Sequence, residues 1–228
     1  LVSDNVALKV RTPKIIKSDP VYLDPEQAAQ LCKAAQGHAI ENLIRLTLGT
    51  GLRIGEATGV RWQDVEVESG ILRVTVQLQR IAGKLVHKPL KSASSRRVLA
   101  LVGLALEAIQ AEKLRYDRLR STLGQDGFNP LGLVFLNDEG RPLDGKYVDK
   151  HLKKLCANAK IPEISFHKLR HTAATLMVAA GVPLALVKDQ LGHSSITLTT
   201  GTYAHMVPSA QKQAAETLNG ALQSGKRA

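Results

Sequence analysis

The sequence predicts an α+β fold, mainly α-helical with a small antiparallel sheet, and two observations carry that expectation. Apolar residues recur at helical spacing over most of the 228 residues, with Gly and Pro punctuating the periodic stretches. Mid-chain the period drops to two. There Leu72, Val74, Val76 and Leu78 alternate with Arg73, Thr75, Gln77 and Gln79, the pattern of a half-buried strand. The length suits one sizeable domain with a short extension.

Residues 1–20 read as a tether. Val10-Arg11-Thr12-Pro13-Lys14 and Lys17-Ser18-Asp19-Pro20 mix proline with charge and lack a helical period. The domain proper spans 21–228. Its first helix begins at Pro25, with Asp24 as N-cap and Gln27 completing a capping box, and Gly37 ends it. A second helix covers 38–48, followed by the turn Gly49-Thr50-Gly51 and a short helix at 54–59. Extended pieces at 72–79, 85–88 and 96–101 make the sheet, with Lys91-Ser92-Ala93-Ser94 as the turn between the last two. Helical spacing returns at 103–120, and 133–136 is a brief strand-like run. Further helices are expected at 145–159, 166–180, 184–191, 196–203 and 209–222. Gly181 and Gly192 act as C-terminal stops, and Pro183 and Pro208 as first-turn residues.

Composition narrows the partners. With 31 Lys and Arg against 20 Asp and Glu, the formal charge is +11, which suits a polyanion whose condensed counterions the cations displace. The basic residues are dispersed through folded-looking segments rather than gathered in a tail. Only 4% of residues are aromatic, which argues against a single-strand binder built on stacking platforms. No apolar run approaches the roughly 20 residues of a membrane helix, so no membrane partner is expected. Cys32 and Cys156 are far apart in helical patterns, so a disulfide framework is not expected and a reducing cytoplasm is the simplest compartment.

Three words and a turn lysine carry candidate chemistry. In Thr50-Gly51-Leu52-Arg53-Ile54-Gly55-Glu56, a helix would put Arg53 and Glu56 on one face. Such a guanidinium fork suits phosphate oxygens, and a carboxylate could hold it in place; an ordinary surface ion pair is the plainer reading. In His167-Lys168-Leu169-Arg170-His171, His167 and Arg170 likewise share a face, pairing a guanidinium with an imidazole that titrates near neutrality. His167 and His171 also have the spacing of a metal pair. Lys168, however, stands where the zinc-protease pattern needs Glu, and no carboxylate cluster lies nearby in sequence. In the third word, Gly192 turns the chain at His193 and Tyr203 follows on a short helix. A tyrosine nucleophile, with an ordinary pKa of about 10, needs surrounding positive charge to lose its proton. Lys91, in its turn, could serve as a general acid or be merely solvated.

Taken in order, Arg53, Lys91, His167-x-x-Arg170, His193 and Tyr203 resemble the signature of the tyrosine recombinase (phage integrase) family over most of the chain. The words Lys91-Ser92-Ala93-Ser94-Ser95-Arg96-Arg97 and Leu191-Gly192-His193-Ser194-Ser195 are similar to its lysine hairpin and part of its second box. The resemblance implies the catalytic fold of that DNA breaking-rejoining family and a role for each residue. Arg53 and Arg170 clamp the scissile phosphate with His193 as a third ligand, and Glu56 supports Arg53. Lys91 protonates the leaving 5′ oxygen, His167 assists proton transfer, and Tyr203 attacks to give a 3′-phosphotyrosine. The implied partner is double-stranded DNA with a specific recombination site, bound by a homotetramer whose subunits are monomers when free. No cofactor is implied, neither metal nor ATP, because the phosphotyrosine conserves the energy of the phosphodiester.

The resemblance also implies an N-terminal core-binding domain, which this chain is expected to lack, with 1–20 as the interdomain linker. Gly201, two residues before Tyr203, suggests a mobile nucleophile segment. A non-catalytic helix-turn-helix regulator built on 171–191 is the main rival. It leaves the order of Arg53, Lys91 and Tyr203 without a purpose. A type IB topoisomerase is a nearer rival within the enzyme class.

Overall fold

The computed structural model describes residues 22–90, 95–124 and 128–193. The tether, Lys91 with its turn, Tyr203, Gly201, Pro208 and the helices expected at 196–203 and 209–222 lie outside these residues.

The first helix, α1 (Pro25–Ala34), starts where its caps demand. Asp24 Oδ1 accepts from the Gln27 N–H at 2.8 Å, and Gln27 Oε1 accepts from the Asp24 N–H at 3.1 Å. Next, α2 (Glu41–Thr50) begins three residues later than the periodicity suggests. Side chains satisfy the intervening amides instead: Glu41 Oε2 accepts from Gly37 N–H at 2.8 Å and His38 Nδ1 from Ile40 N–H at 3.2 Å. Gly51 ends α2 in the left-handed conformation at φ +69°. A short helix, α3 (Ile54–Thr58), and a 3-10 turn at Trp62–Asp64 follow.

The strand expected at 72–79 is two strands in two sheets, and this corrects the expectation of one sheet. The first sheet has the order β1 (Val65–Glu66), β2 (Ile71–Val74), β5 (Arg97–Ala100), all antiparallel. The second pairs β3 (Val76–Ile81) with β4 (Lys84–Pro89) as a hairpin. The break falls at Thr75, whose hydroxyl lies 3.3 Å from Asp64 Oδ1 and 3.2 Å from Arg61 Nη2, inside the Arg61–Asp64 ion pair. That pull takes the chain out of one sheet and into the other without disturbing the alternation of side chains. The strand-like run 133–136 is fully buried, yet it makes only isolated bridges, Arg61 to Leu133 and Leu136 to Pro142. Two isolated bridges to different partners do not make a strand.

Helices supply the rest: α4 (Leu104–Leu123), α5 (Gly145–Asn158), α6 (Phe166–Ala179) and α7 (Leu184–Leu191). Ser165 caps α6, and Asp149 of α5 accepts from the Phe166 N–H at 2.7 Å, fixing where α6 begins. The helix α2 packs against α4 and α6, with Leu43, Ile44 and Leu46 fully buried. Each such side chain contributes about 1.5–3 kcal/mol of burial free energy. A satellite cluster of Ala174, Val178, Val187 and Leu191 joins α6 to α7. On the other flank, α3 lies so close to β3 that a Cβ on Gly59 would sit 2.6 Å from the Leu78 backbone nitrogen. The ends of α2, α3 and α7 are thereby brought to one place.

Candidate active site

Glu56 is the centre of that place. It is 2% exposed in the short helix α3 and meets two arginines at ion-pair distance and a third at the limit of it. Arg53 Nη1 donates to Glu56 Oε1 at 2.7 Å, and Glu56 Oε2 also accepts from the Arg53 backbone N–H at 3.0 Å. Arg97 Nη2 donates to Glu56 Oε2 at 2.9 Å, and Arg170 Nη1 lies 4.0 Å from the same oxygen. Burial would push the Glu56 carboxyl up, but hydrogen bonds and charge from Arg97 and Arg53 outweigh it and hold the group below the usual carboxylate range. A shared helical face is not what pairs Arg53 with Glu56. Arg53 is the N-cap, with extended backbone at φ −71° and ψ 154°, and Glu56 reaches back to it from the first turn.

A second set of contacts ties the same arginines to the end of α7. Arg97 Nε donates to the Gln190 carbonyl at 2.6 Å, Arg170 Nη2 to Leu191 at 2.8 Å, and Arg53 Nη2 to Gly192 at 3.1 Å. Arg170 Nη1 also donates to the Gly51 carbonyl at 2.7 Å, so one guanidinium joins the C-terminal ends of α2 and α7. Carbonyls at a helix C-terminus lack partners within the helix and carry the negative end of its dipole, so cations are the natural donors. Arg53 keeps its side chain 40% exposed, whereas Arg170 is 4% exposed.

Both candidate imidazoles lie in the field of these arginines. His193, which follows the left-handed cap Gly192, is pushed down from 6.5 to about 4 by burial and by Arg170 and Arg53. His167, in the first turn of α6, is lowered by burial, then by Arg170, Lys168 and Arg53. Its ring nitrogen Nε2 stands 2.9 Å from Nε2 of His171, which is itself pushed to about 4 by burial and the His167 charge. At neutral pH these rings are uncharged, able to donate one hydrogen bond and accept another. Among the described residues no group of three or more His, Cys, Asp or Glu is arranged to hold a metal ion.

The structure therefore brings together Arg53, Glu56, His167, Arg170 and His193 from three separated stretches of chain. Lys91 and Tyr203 fall outside the described residues. Sequence reasoning missed Arg97, which lies three residues beyond the Lys91 turn in sequence and donates to both oxygens of Glu56. Its alternation in β5 marks it only as a strand residue. A groove of about 730 Å³ between α1, α2 and α4 shares none of these side chains. The cluster offers fixed positive charge and neutral imidazoles, an arrangement able to hold a phosphate group.

Known proteins resemble this chain over most of its length. Residues 21–209 match the Phage integrase family. Tyrosine recombinase XerC-like from Caldanaerobacter subterraneus subsp. tengcongensis is 31% identical over 215 residues, covering 90% of this chain and 55% of that protein. Tyrosine recombinase XerC from Pelobacter propionicus is 30% identical over 214 residues, covering 90% of this chain and 62% of that protein. The chain thus spans between 55% and 62% of the length of these two relatives. In fold it is similar to a Tn1549 transposon integrase fragment solved in complex with transposon right end DNA, with a TM-score of 0.74 at 24% identity over 95% of this chain and 71% of that one. The XerA recombinase crystal structure gives a TM-score of 0.66 at 24% identity, over 93% of this chain and 70% of that one.

Proposed function

Because the chain belongs to the phage integrase family, we propose that it cleaves and rejoins duplex DNA at a specific recombination site through a 3′-phosphotyrosine on Tyr203. The observation that carries this reading is the meeting of Arg53 and Arg170 at Glu56, with His167 and His193 in the field of both arginines. Three guanidinia facing one buried carboxylate leave net positive charge, which a phosphodiester would neutralise.

The steps balance without a metal or nucleotide. The Tyr203 oxygen attacks the scissile phosphorus, its proton passing to a base for which neutral His167 is suited. The bond from phosphorus to the 5′ oxygen breaks, and Lys91 supplies the proton to that oxygen. Arg53, Arg170 and His193 hold the non-bridging oxygens, where negative charge grows. In the second step a 5′ hydroxyl of another strand attacks the phosphotyrosine, and the tyrosine recovers its proton. Every phosphodiester broken is one formed.

The reading extends to assembly: a monomer when free, a tetramer on DNA, testable by sedimentation with and without duplex. A cytoplasmic setting fits the two free cysteines, Cys32 and Cys156. No helix among the described residues is long and apolar enough to cross a membrane.

The experiment first selects, from a randomised pool, the duplex the chain binds best, then incubates the chain in EDTA with a nicked form of that duplex and resolves products under denaturing conditions. A denaturation-resistant protein–DNA adduct is expected. Arg53→Ala should slow its formation by about 10²–10³-fold, the usual cost of removing one preorganised donor to a developing oxyanion. Adduct formation at the wild-type rate by that variant would remove Arg53 from the phosphate site.

A further inference from the structure

Arg97 touches three parts of the site at once, and the roles so far assigned to the cluster do not include it. Its Nη2 and Nη1 donate to the two oxygens of Glu56 at 2.9 and 3.3 Å. Nη1 also donates to the Ser95 carbonyl at 3.0 Å, and Nε to the Gln190 carbonyl at 2.6 Å. A guanidinium has five N–H donors. These four bonds direct four of them at protein acceptors, so Arg97 has no fork left for a phosphate. Its side chain is 7% exposed and its carboxylate partner 1%. Arg97 is built to hold other groups.

What it holds is specific. Glu56 orients Arg53 through both its backbone and its guanidinium. Gln190 lies in the last turn of α7, three residues before His193 and thirteen before Tyr203. Ser95 directly follows the turn that contains Lys91. Three successive carbonyls, Gln190, Leu191 and Gly192, take one arginine each, and the other two arginines are the pair with work to do at the phosphate. When a phosphate draws on Arg53 and Arg170, the Arg97 bond remains to keep the end of α7 in place.

We propose that Arg97 is a positioning residue that holds the exit of α7, and with it His193, in register with the Arg53–Glu56 pair. The proposal rests on the functional reading given above. Lysine in its place keeps the charge but cannot span Glu56 and the Gln190 carbonyl together, because an ammonium is a point donor rather than a fork. A positioning role then shows as a loss of rate at saturating DNA with affinity kept.

The test compares the wild-type chain with Arg97→Lys and Arg97→Gln. Single-turnover adduct formation on the selected nicked duplex is measured in parallel with affinity for that duplex. Ring 1H–15N signals of His193 are followed in the DNA-free chain, and circular dichroism selects the variants that are folded. The expected result for Arg97→Lys is adduct formation slowed by about ten- to a hundredfold at saturating duplex, with the dissociation constant within about threefold of wild type, as for a reacting group displaced by an ångström. The His193 ring signals should shift in the same variant. A merely stabilising residue would lower the melting temperature and leave both readouts of the folded chain unmoved. An unchanged saturating rate, or unmoved His193 signals, overturns the proposal and leaves the functional reading intact. Absence of any adduct with the wild-type chain overturns the functional reading, and the proposal with it.

Discussion

Glu56 meets more positive charge than one carboxylate can neutralise, and that imbalance governs how the site responds to substitution and to pH. Glu56→Gln leaves Arg97 and Arg170 buried without their common counter-charge, which should cost about 3–5 kcal/mol in urea unfolding. A loss below 1 kcal/mol would show that the cluster does not depend on it. Acid acts on the same groups. The folded chain holds Glu56 below its ordinary 4.5, so its stabilisation is complete above that pH and is lost as pH falls through the folded value. His193 and His171 titrate near 4 when folded against 6.5 otherwise, so the unfolded chain binds their protons first. Stability should therefore be level above about pH 7, fall between 6.5 and 4, and fall further as Glu56 protonates. Urea midpoints measured across that range would contradict this if they stayed flat from pH 7 to 5. A phosphate beside His193 offsets the arginine field and raises its pKa, so duplex binding at pH 6 should take up protons. Calorimetry in buffers of different ionisation enthalpy would show that uptake as a buffer-dependent heat. At this scale the words around Arg53, His167, Arg170 and His193 were legible because local spacing carries them. Arg97 was not, since its partner carbonyl lies 93 residues away and no local spacing encodes the meeting of β5 with α7.

Among the elements, the C-terminal end of α2 is the most constrained joint. Gly51 holds φ +69°, and a Cβ there would stand 2.6 Å from Leu191 Cδ2. Gly51→Ala should therefore cost about 1–2 kcal/mol from backbone strain, with added displacement of α7. Leu191→Ala opens a void in the α6–α7 cluster and should cost about 2–5 kcal/mol. Both variants move the carbonyls that Arg170 and Arg97 hold, so both should slow adduct formation more than they weaken duplex binding. Equal losses in rate and affinity would place α7 outside the reacting geometry. The helices were legible from period and caps, as at Asp24 and Gln27. The two sheets were not separable, because alternation runs unbroken through Thr75 while the pairing partners of β2 and β3 differ. The apolar run 133–136 gave burial correctly and strand pairing wrongly, since periodicity reports what is covered rather than what bonds to it.

For the whole molecule, a formal charge of +11 on a mainly helical body predicts binding to duplex that is steeply salt-dependent. The logarithm of affinity should fall linearly with the logarithm of salt concentration. Arg53→Ala should reduce the slope by about 0.9, the share of one phosphate contact. The general architecture followed from composition and periodicity, but the convergence of α3, β5 and α6 on Glu56 required the fold itself. The central claim is that this convergence serves an attack on phosphorus by one tyrosine. The direct measurement is mass spectrometry of the trapped adduct after nuclease and protease digestion. The account predicts a single nucleotide-bearing peptide, linked through a 3′ phosphate to Tyr203. A phosphate carried by Tyr22, Tyr116 or Tyr147, or by any residue other than tyrosine, would contradict it.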